Sequence, residues 1–527
     1  MSVSTGQDQD YNIKPNPVRK AFQMKKDNRK ITRKFKNKLK KRLHRKNFKE
    51  TDKPIFAGGN IHYEMAERAR GMSYGGIGAV HTMVQRLGLD SAINDSLKVL
   101  KAHLPYHESD HVLNIAYNVL TGGTCLEDIE RLRQDEVYMD AIGAERVPDP
   151  TTAGDFTRRL TEDLIIALME VINEFRIRIW RETQPDSFFD QAIIDADATL
   201  APTLGECKEG MDYSYKKIWG YAPLMISLAN TQEPLYLVNR PGNTPSNVDA
   251  AQWIDRAIVL LRRAGFKKIL LRGDTDYSQT EHLDRWHQEG VQFIFGYDAC
   301  PNLVSTADDL PAASYNPLER RPKYHVATQE RTRPRNVKEE IVKQKEWENI
   351  RLQSEDAAEF EYSPTACRNS YRMICLRKNL SVEKGENVLF DDIRYFFYIT
   401  NIEHQDRDEI VFSANQRCNQ ENIFGQFKSA MNVMRMPTGD LLSNWGYMVI
   451  ASLAWNLKAW YAMLIPNQKE SRKTLLMEFK QFFHSYIALP VQIVKKGGQI
   501  IYRLLSYKSS YETFFDTFDI IRKLKFI

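Results

Sequence analysis

Cysteine is scarce and unorganised in this sequence. Six cysteines (Cys125, Cys207, Cys300, Cys367, Cys375 and Cys418) are scattered over 527 residues, with no Cys-x-x-Cys pair and no histidine partners at zinc spacing. That excludes a disulfide scaffold or a cysteine zinc site and predicts free thiols in a reducing cytoplasm. Long hydrophobic runs are almost missing too. Only residues 446–465 raise a membrane question, and they contain Asn456 and Lys458 and stop at Pro466. A buried helix is the better reading, with no membrane association. No apolar core follows the first charges, so no secretory signal is expected. Acids are nearly absent from one stretch: residues 14–49 hold 17 Lys or Arg against Asp27 alone. The rest of the chain carries 57 bases and 67 acids, a net of −10 beneath an overall +6. A basic arm, residues 1–60, on a mildly acidic body is the layout of a protein that holds a polyanion. Its candidate DNA contacts are Arg33, Lys34, Lys40, Lys41 and Arg42.

What is present divides the chain into segments. Residues 61–180 are patterned as helices. Ser109 is placed to cap a helix that stops at Gly122-Gly123, and Thr124 with Glu127 reads as a capping box for the next. Such a pair suits a helix-turn-helix, although an ordinary helical hairpin shows the same pattern. A long helix is expected over 153–180. From 181 to 296 strand-like runs alternate with amphipathic helices, one of them over 250–264, which predicts an α/β sheet. The alternation lapses over 297–393, whose charged middle includes Arg331, Arg333, Arg335 and Lys338, and this stretch reads as an insertion. A buried strand is expected to resume at Arg394, helices occupy 415–434 and 444–464, and 466–527 is expected to be mixed and mainly helical.

Three acids stand out by position. Asp197 is on a strand, Asp274 ends another, and Glu421 is on a helix after the last strand. Ligands gather at strand ends of such sheets. Magnesium takes hard oxygen ligands, and a pair of ions can serve both the attacking and the leaving oxygen of a phosphodiester. Position alone leaves Asp195 as open as Asp197, because alternate strand residues face one way, and Asp276 as open as Asp274. Glu421 has Arg417 one turn before it and Lys428 two turns after, about 40° and 20° around a regular helix. A glutamate between two cations fits a metal flanked by phosphates, and equally an ordinary ion-paired surface.

These residues resemble a known pattern. Arg417-x3-Glu421-x6-Lys428 is similar to the arginine, glutamate and lysine of the Tyr-Arg-Glu-Lys signature in bacterial insertion-sequence transposases with an Asp-Asp-Glu centre. Ala414 stands where that signature has its tyrosine, so the resemblance assigns no tyrosine here. Asp197-Ala198-Thr199 and Arg272-Gly273-Asp274-Thr275-Asp276-Tyr277 resemble two further blocks. Trp219-Gly220-Tyr221-Ala222-Pro223-Leu224 and Arg240-Pro241-Gly242-Asn243-Thr244 resemble blocks of the branch numbered thirteen-eighty among insertion sequences. The five blocks occur in order within about residues 100–465.

The resemblance selects Asp197 and Asp274 over their neighbours. It implies a ribonuclease H-like catalytic core (181–296 and 394–465) carrying a β-rich insertion (297–393). An N-terminal helical DNA-binding region (61–180) and a C-terminal segment (466–527) would flank it. It further implies Asp197, Asp274 and Glu421 as catalytic ligands of two Mg2+ (or Mn2+) ions, and Arg417 and Lys428 as DNA contacts. The activity implied is cut-and-paste transposition, with cleavage at terminal inverted repeats and 3′-hydroxyl strand transfer into target DNA. A homodimer would act in the bacterial cytoplasm, at the nucleoid. A nuclease without strand transfer and a transposase-derived DNA-binding regulator are the alternatives.

Overall fold

The computed structural model describes residues 71–103, 105–319, 337–384, 387–506 and 508–524. Arg33, Lys34, Lys40, Lys41 and Arg42 lie outside the described residues, as do Arg331, Arg333 and Arg335. Helices α1 (Ile77–Leu87), α2 (Leu89–Ser96) and α3 (Glu108–Leu120) open the described chain. The start expected at Ser109 falls at Glu108, because the Asp110 carboxylate accepts the backbone N–H of His107 (2.8 Å) and makes His107 the cap. Gly122, at φ +89°, ends the run. The Thr124–Glu127 box does not form. Asp128, one residue further on, accepts both the backbone N–H and the hydroxyl of Thr124 (2.7 and 3.2 Å), and only a 3-10 turn and a short helix follow.

The long helix expected over 153–180 is two helices, α4 (Pro150–Thr157) and α5 (Glu162–Thr183). Each begins at its own cap: Asp149 accepts the Thr152 N–H at 2.9 Å, and Thr161 accepts the Leu164 N–H at 3.4 Å. Apolar spacing runs through the break because both helices bury a face in one core.

Five strands make the inner sheet: β1 (Gln191–Ala198), β2 (Leu224–Leu228), β3 (Glu233–Val238), β4 (Lys268–Gly273) and β5 (Gln292–Tyr297). Their order is β3-β2-β1-β4-β5. β2 is antiparallel to β1 and to β3, whereas β4 is parallel to β1 and to β5. Helix α6 (Ala250–Ala264) makes the crossover to β4 and ends at Gly265 as its spacing predicts. Three long strands extend the sheet beyond β5: β6 (Glu348–Tyr362), β7 (Tyr371–Lys384) and β8 (Asn387–Thr400). The strand expected from Arg394 begins seven residues earlier, because the first part of β8 pairs with β7 well before Phe397–Thr400 reach β5.

After β8 the chain returns through α7 (Arg407–Asn415) and α8 (Cys418–Gly425) to α9 (Leu441–Met463). α9 is the hydrophobic run, apolar on all sides and buried at every position from Ser443 to Met463. It packs against α3, α5 and β3, which joins the N-terminal helices to the sheet in one core. No described helix is long and apolar enough to cross a membrane.

The last segment is mixed, with helices at Gln468–Leu475 and Tyr511–Ile521 and two strands between them. β9 (Val491–Lys496) and β10 (Gln499–Leu504) form a hairpin, and β9 pairs with Gly71–Met72. Its two-residue turn is Gly497-Gly498, both at positive φ, the conformation that two-residue hairpin turns demand.

Candidate active site

Asp195 and Asp197 face the same side of β1, and the structure surrounds them differently. Asp195 is buried beside Arg272 of β4, whose guanidinium grips both carboxylate oxygens (2.7 and 2.9 Å) and donates onward to the Ser413 carbonyl in α7. Both of its oxygens are therefore occupied by an internal ion pair. Asp197, two residues nearer the strand end, opens onto a pocket of about 410 Å³. Asp274, Asp276, Arg417, Glu421 and Lys428 line the same pocket, with Thr199, Tyr215, Lys216 and Ser246.

Asp274 follows β4 and caps a 3-10 turn, its Oδ1 accepting the Asp276 N–H at 3.1 Å. That leaves its carboxylate half-buried and Asp276 exposed on the rim. The turn sits tightly over Gly296 of β5: a Cβ there would stand 2.9 Å from the Thr275 nitrogen. Glu421 comes from α8, which is docked by its neighbour. The buried Gln420 amide donates to the carbonyls of Asp195 (3.1 Å) and Met225 (2.9 Å), tying the helix to β1 and β2.

The regular helix expected over 415–434 does not exist. α7 ends at Asn415, Arg417 caps α8, and residues 426–430 form a π-turn that carries Lys428. Such turns occur mostly as local bulges, frequently at functional sites. The two cations nevertheless reach one pocket. Arg417 contacts Asp197 at 2.9 Å and Glu421 at 3.8 Å, and Lys428 donates to the Thr199 hydroxyl at 2.5 Å.

Burial dominates the charge states in the pocket, where four acids face Lys216, Arg417 and Lys428. Burial, with Asp274 and Glu421 adding, pushes the Asp197 carboxyl up to about 7 against the pull of Arg417. Burial also raises Asp274, with Asp276 and Glu421 adding and Arg417 opposing. Burial and Lys216 lower Lys428, while Asp197 opposes them. The acids offer oxygen alone, the donor set that suits a divalent ion such as magnesium or manganese. Arg272 and Gln420 are site supports that sequence reasoning misses. Their partners are 77 and 225 or 195 residues away, and no local spacing announces them.

A search of curated proteins finds no match. Among solved structures, this chain is similar to a piggyBac transposase in a synaptic complex with hairpin DNA. The likeness is 11% identity over 79% of this chain and 81% of that one, at a TM-score of 0.35. A family model described as Transposase DDE domain group 1 matches residues 68–526, the sheet and both helical regions included. Divalent metal ions are the general requirement of such transposases. By that match the chain belongs to the DDE transposases of this group.

Proposed function

We propose that this chain catalyses cut-and-paste transposition of an insertion sequence of the thirteen-eighty branch. One observation carries the reading: Asp197, Asp274 and Glu421, from three separate elements, line one pocket together with Arg417 and Lys428. The order β3-β2-β1-β4-β5, three antiparallel strands and then two parallel ones, supports a ribonuclease H-like core. Residues 181–296 and 394–465 would make that core, with 297–393 inserted and 466–527 appended.

The three carboxylates would hold two Mg2+ ions. Bound there, they would supply Lewis-acid activation of the attacking oxygen and charge neutralisation at the leaving oxygen. Arg417, spanning Asp197 and Glu421, would orient both carboxylates and place a positive charge beside a flanking phosphate. Lys428, anchored on Thr199, sets a second cation at the pocket mouth. Water and then the freed 3′-hydroxyl would occupy the same position in turn, cutting at the terminal inverted repeats and joining to target DNA. Residues 1–60 and 61–180 would bind the element's ends, and two protomers would pair them.

The test is cleavage of repeat-end DNA in magnesium. Asp274→Ala and Glu421→Gln should each abolish cutting and joining while end binding persists. Cutting at the wild-type rate by either variant would show the site to be wrongly assigned. Failure of the wild type to bind repeat ends would undo the whole reading.

A further inference from the structure

A second cluster of metal-ligating side chains lies in the N-terminal helices. Among the described residues, one group of three has all its ligand atoms within 4.8 Å of one another: His103, His107 and Glu108. They meet where the connection from α2 enters the first turn of α3. Glu108 is only 1% exposed, whereas both imidazoles are exposed. Its Oε1 accepts the backbone N–H groups of Val99 (3.1 Å) and Leu100 (3.0 Å), which leaves Oε2 to face His103 Nε2 at 3.0 Å. The rings of His103 and His107 stack with centroids 4.2 Å apart and planes within 17°.

Burying a carboxylate demands hydrogen bonds or a cation. At 3.0 Å, an imidazole nitrogen and a carboxylate oxygen must share a proton or an ion. Zinc bonds of roughly 2.0–2.2 Å in a tetrahedron place ligand atoms about 3.3 Å apart. Exchanging the proton for zinc therefore asks the pair to open by only about 0.3 Å, and both imidazoles are exposed. The two N–H groups on Oε1 orient the carboxylate in the way outer hydrogen bonds orient metal ligands. Two imidazoles and one carboxylate favour a borderline ion such as Zn2+ over magnesium, the reverse of the all-oxygen catalytic pocket.

We propose that His103, His107 and Glu108 form a zinc site, separate from the catalytic pocket, that staples the connection before α3 to that helix. The spacing is His-x3-His-Glu, and no cysteine takes part.

The experiment is zinc titration of the full chain in excess magnesium, which occupies carboxylate-only sites. The wild type should bind about one zinc per chain, with cobalt giving the visible absorption of a low-symmetry nitrogen–oxygen site. His103→Ala and His107→Ala should each weaken binding at least about tenfold. Glu108→Gln keeps an oxygen for Val99 and Leu100 and an amide toward His103. It should lose zinc likewise while its melting temperature in chelator stays at the wild-type value. Zinc binding of wild-type strength in any of the three variants, or none in the wild type, overturns the proposal. The readout is independent of DNA cleavage, so its failure leaves the proposed transposition untouched.

Discussion

Two aspartates on one face of β1 have different surroundings because one lies deeper. Asp195 is locked by the Arg272 fork, with both side chains about 2% exposed, whereas Asp197 reaches the pocket. Removing one partner of a buried ion pair leaves the other charge uncompensated, at a cost of roughly 3–5 kcal/mol. Asp195→Asn should therefore lower the melting temperature sharply. For Asp197 the sign reverses. Its folded value of about 7 lies above the ordinary aspartate range, so the folded state binds more protons between those values and stability falls as pH rises through the window. Asp197→Asn should match or exceed the wild-type melting temperature at pH 8 and lose cleavage. A stable, inactive Asp195→Asn beside an unstable Asp197→Asn would reverse the two assignments.

At the scale of elements, α9 buries a charge. Lys458 donates to the Leu475 carbonyl at 3.0 Å and lies 4.0 Å from the centre of the Trp455 ring. Burial lowers its ammonium to about 7. The unfolded chain then binds more protons from about pH 7 to the ordinary lysine range, so stability increases with pH there, by at most about 1.4 kcal/mol per unit. Denaturation at pH 7, 8 and 9 should show this rise in the wild type and not in Lys458→Met; parallel profiles would refute it.

The β9–β10 hairpin offers a second test of an element. Gly498 sits at φ +70°, where a Cβ costs roughly 1–2 kcal/mol. Gly498→Ala should destabilise by that amount in a denaturant titration. No change would mean that the turn does not adopt this conformation.

For the molecule as a whole, charge is segregated: 17 bases lie within residues 14–49, while the remainder is net acidic. If that arm grips DNA, deleting residues 1–49 should flatten the dependence of log affinity on log salt by roughly 0.9 for each phosphate that the arm neutralises. Anisotropy titrations on repeat-end DNA over a salt series would measure it, and an unchanged slope would exclude the arm from binding. The core itself is continuous. α9 gathers α3, α5 and β3, and the buried Glu233 of β3 accepts from Arg176 (3.1 Å), Trp180 (2.9 Å) and Trp460 (3.0 Å). The N-terminal helices are therefore packed onto the sheet that carries Asp197 and Asp274.

Local chemistry sufficed wherever the information was local. The extents of α6 and β4, the buried nature of 446–465 and the basic arm all follow from residues adjacent in the chain. The hairpin at Gly497-Gly498 is legible in the same way, a two-glycine turn flanked by Val491-Gln492-Ile493-Val494 and Ile500-Ile501-Tyr502. Spacing could not separate Asp195 from Asp197, since period two gives both the same face and only depth distinguishes them. Nor could it place Arg417 and Lys428 on one pocket once the helix between them broke into a cap and a π-turn. Tertiary structure decided those points. Arg272, Gln420 and Thr199 come from remote parts of the chain, and their hydrogen bonds choose which carboxylate is buried and where each cation stands.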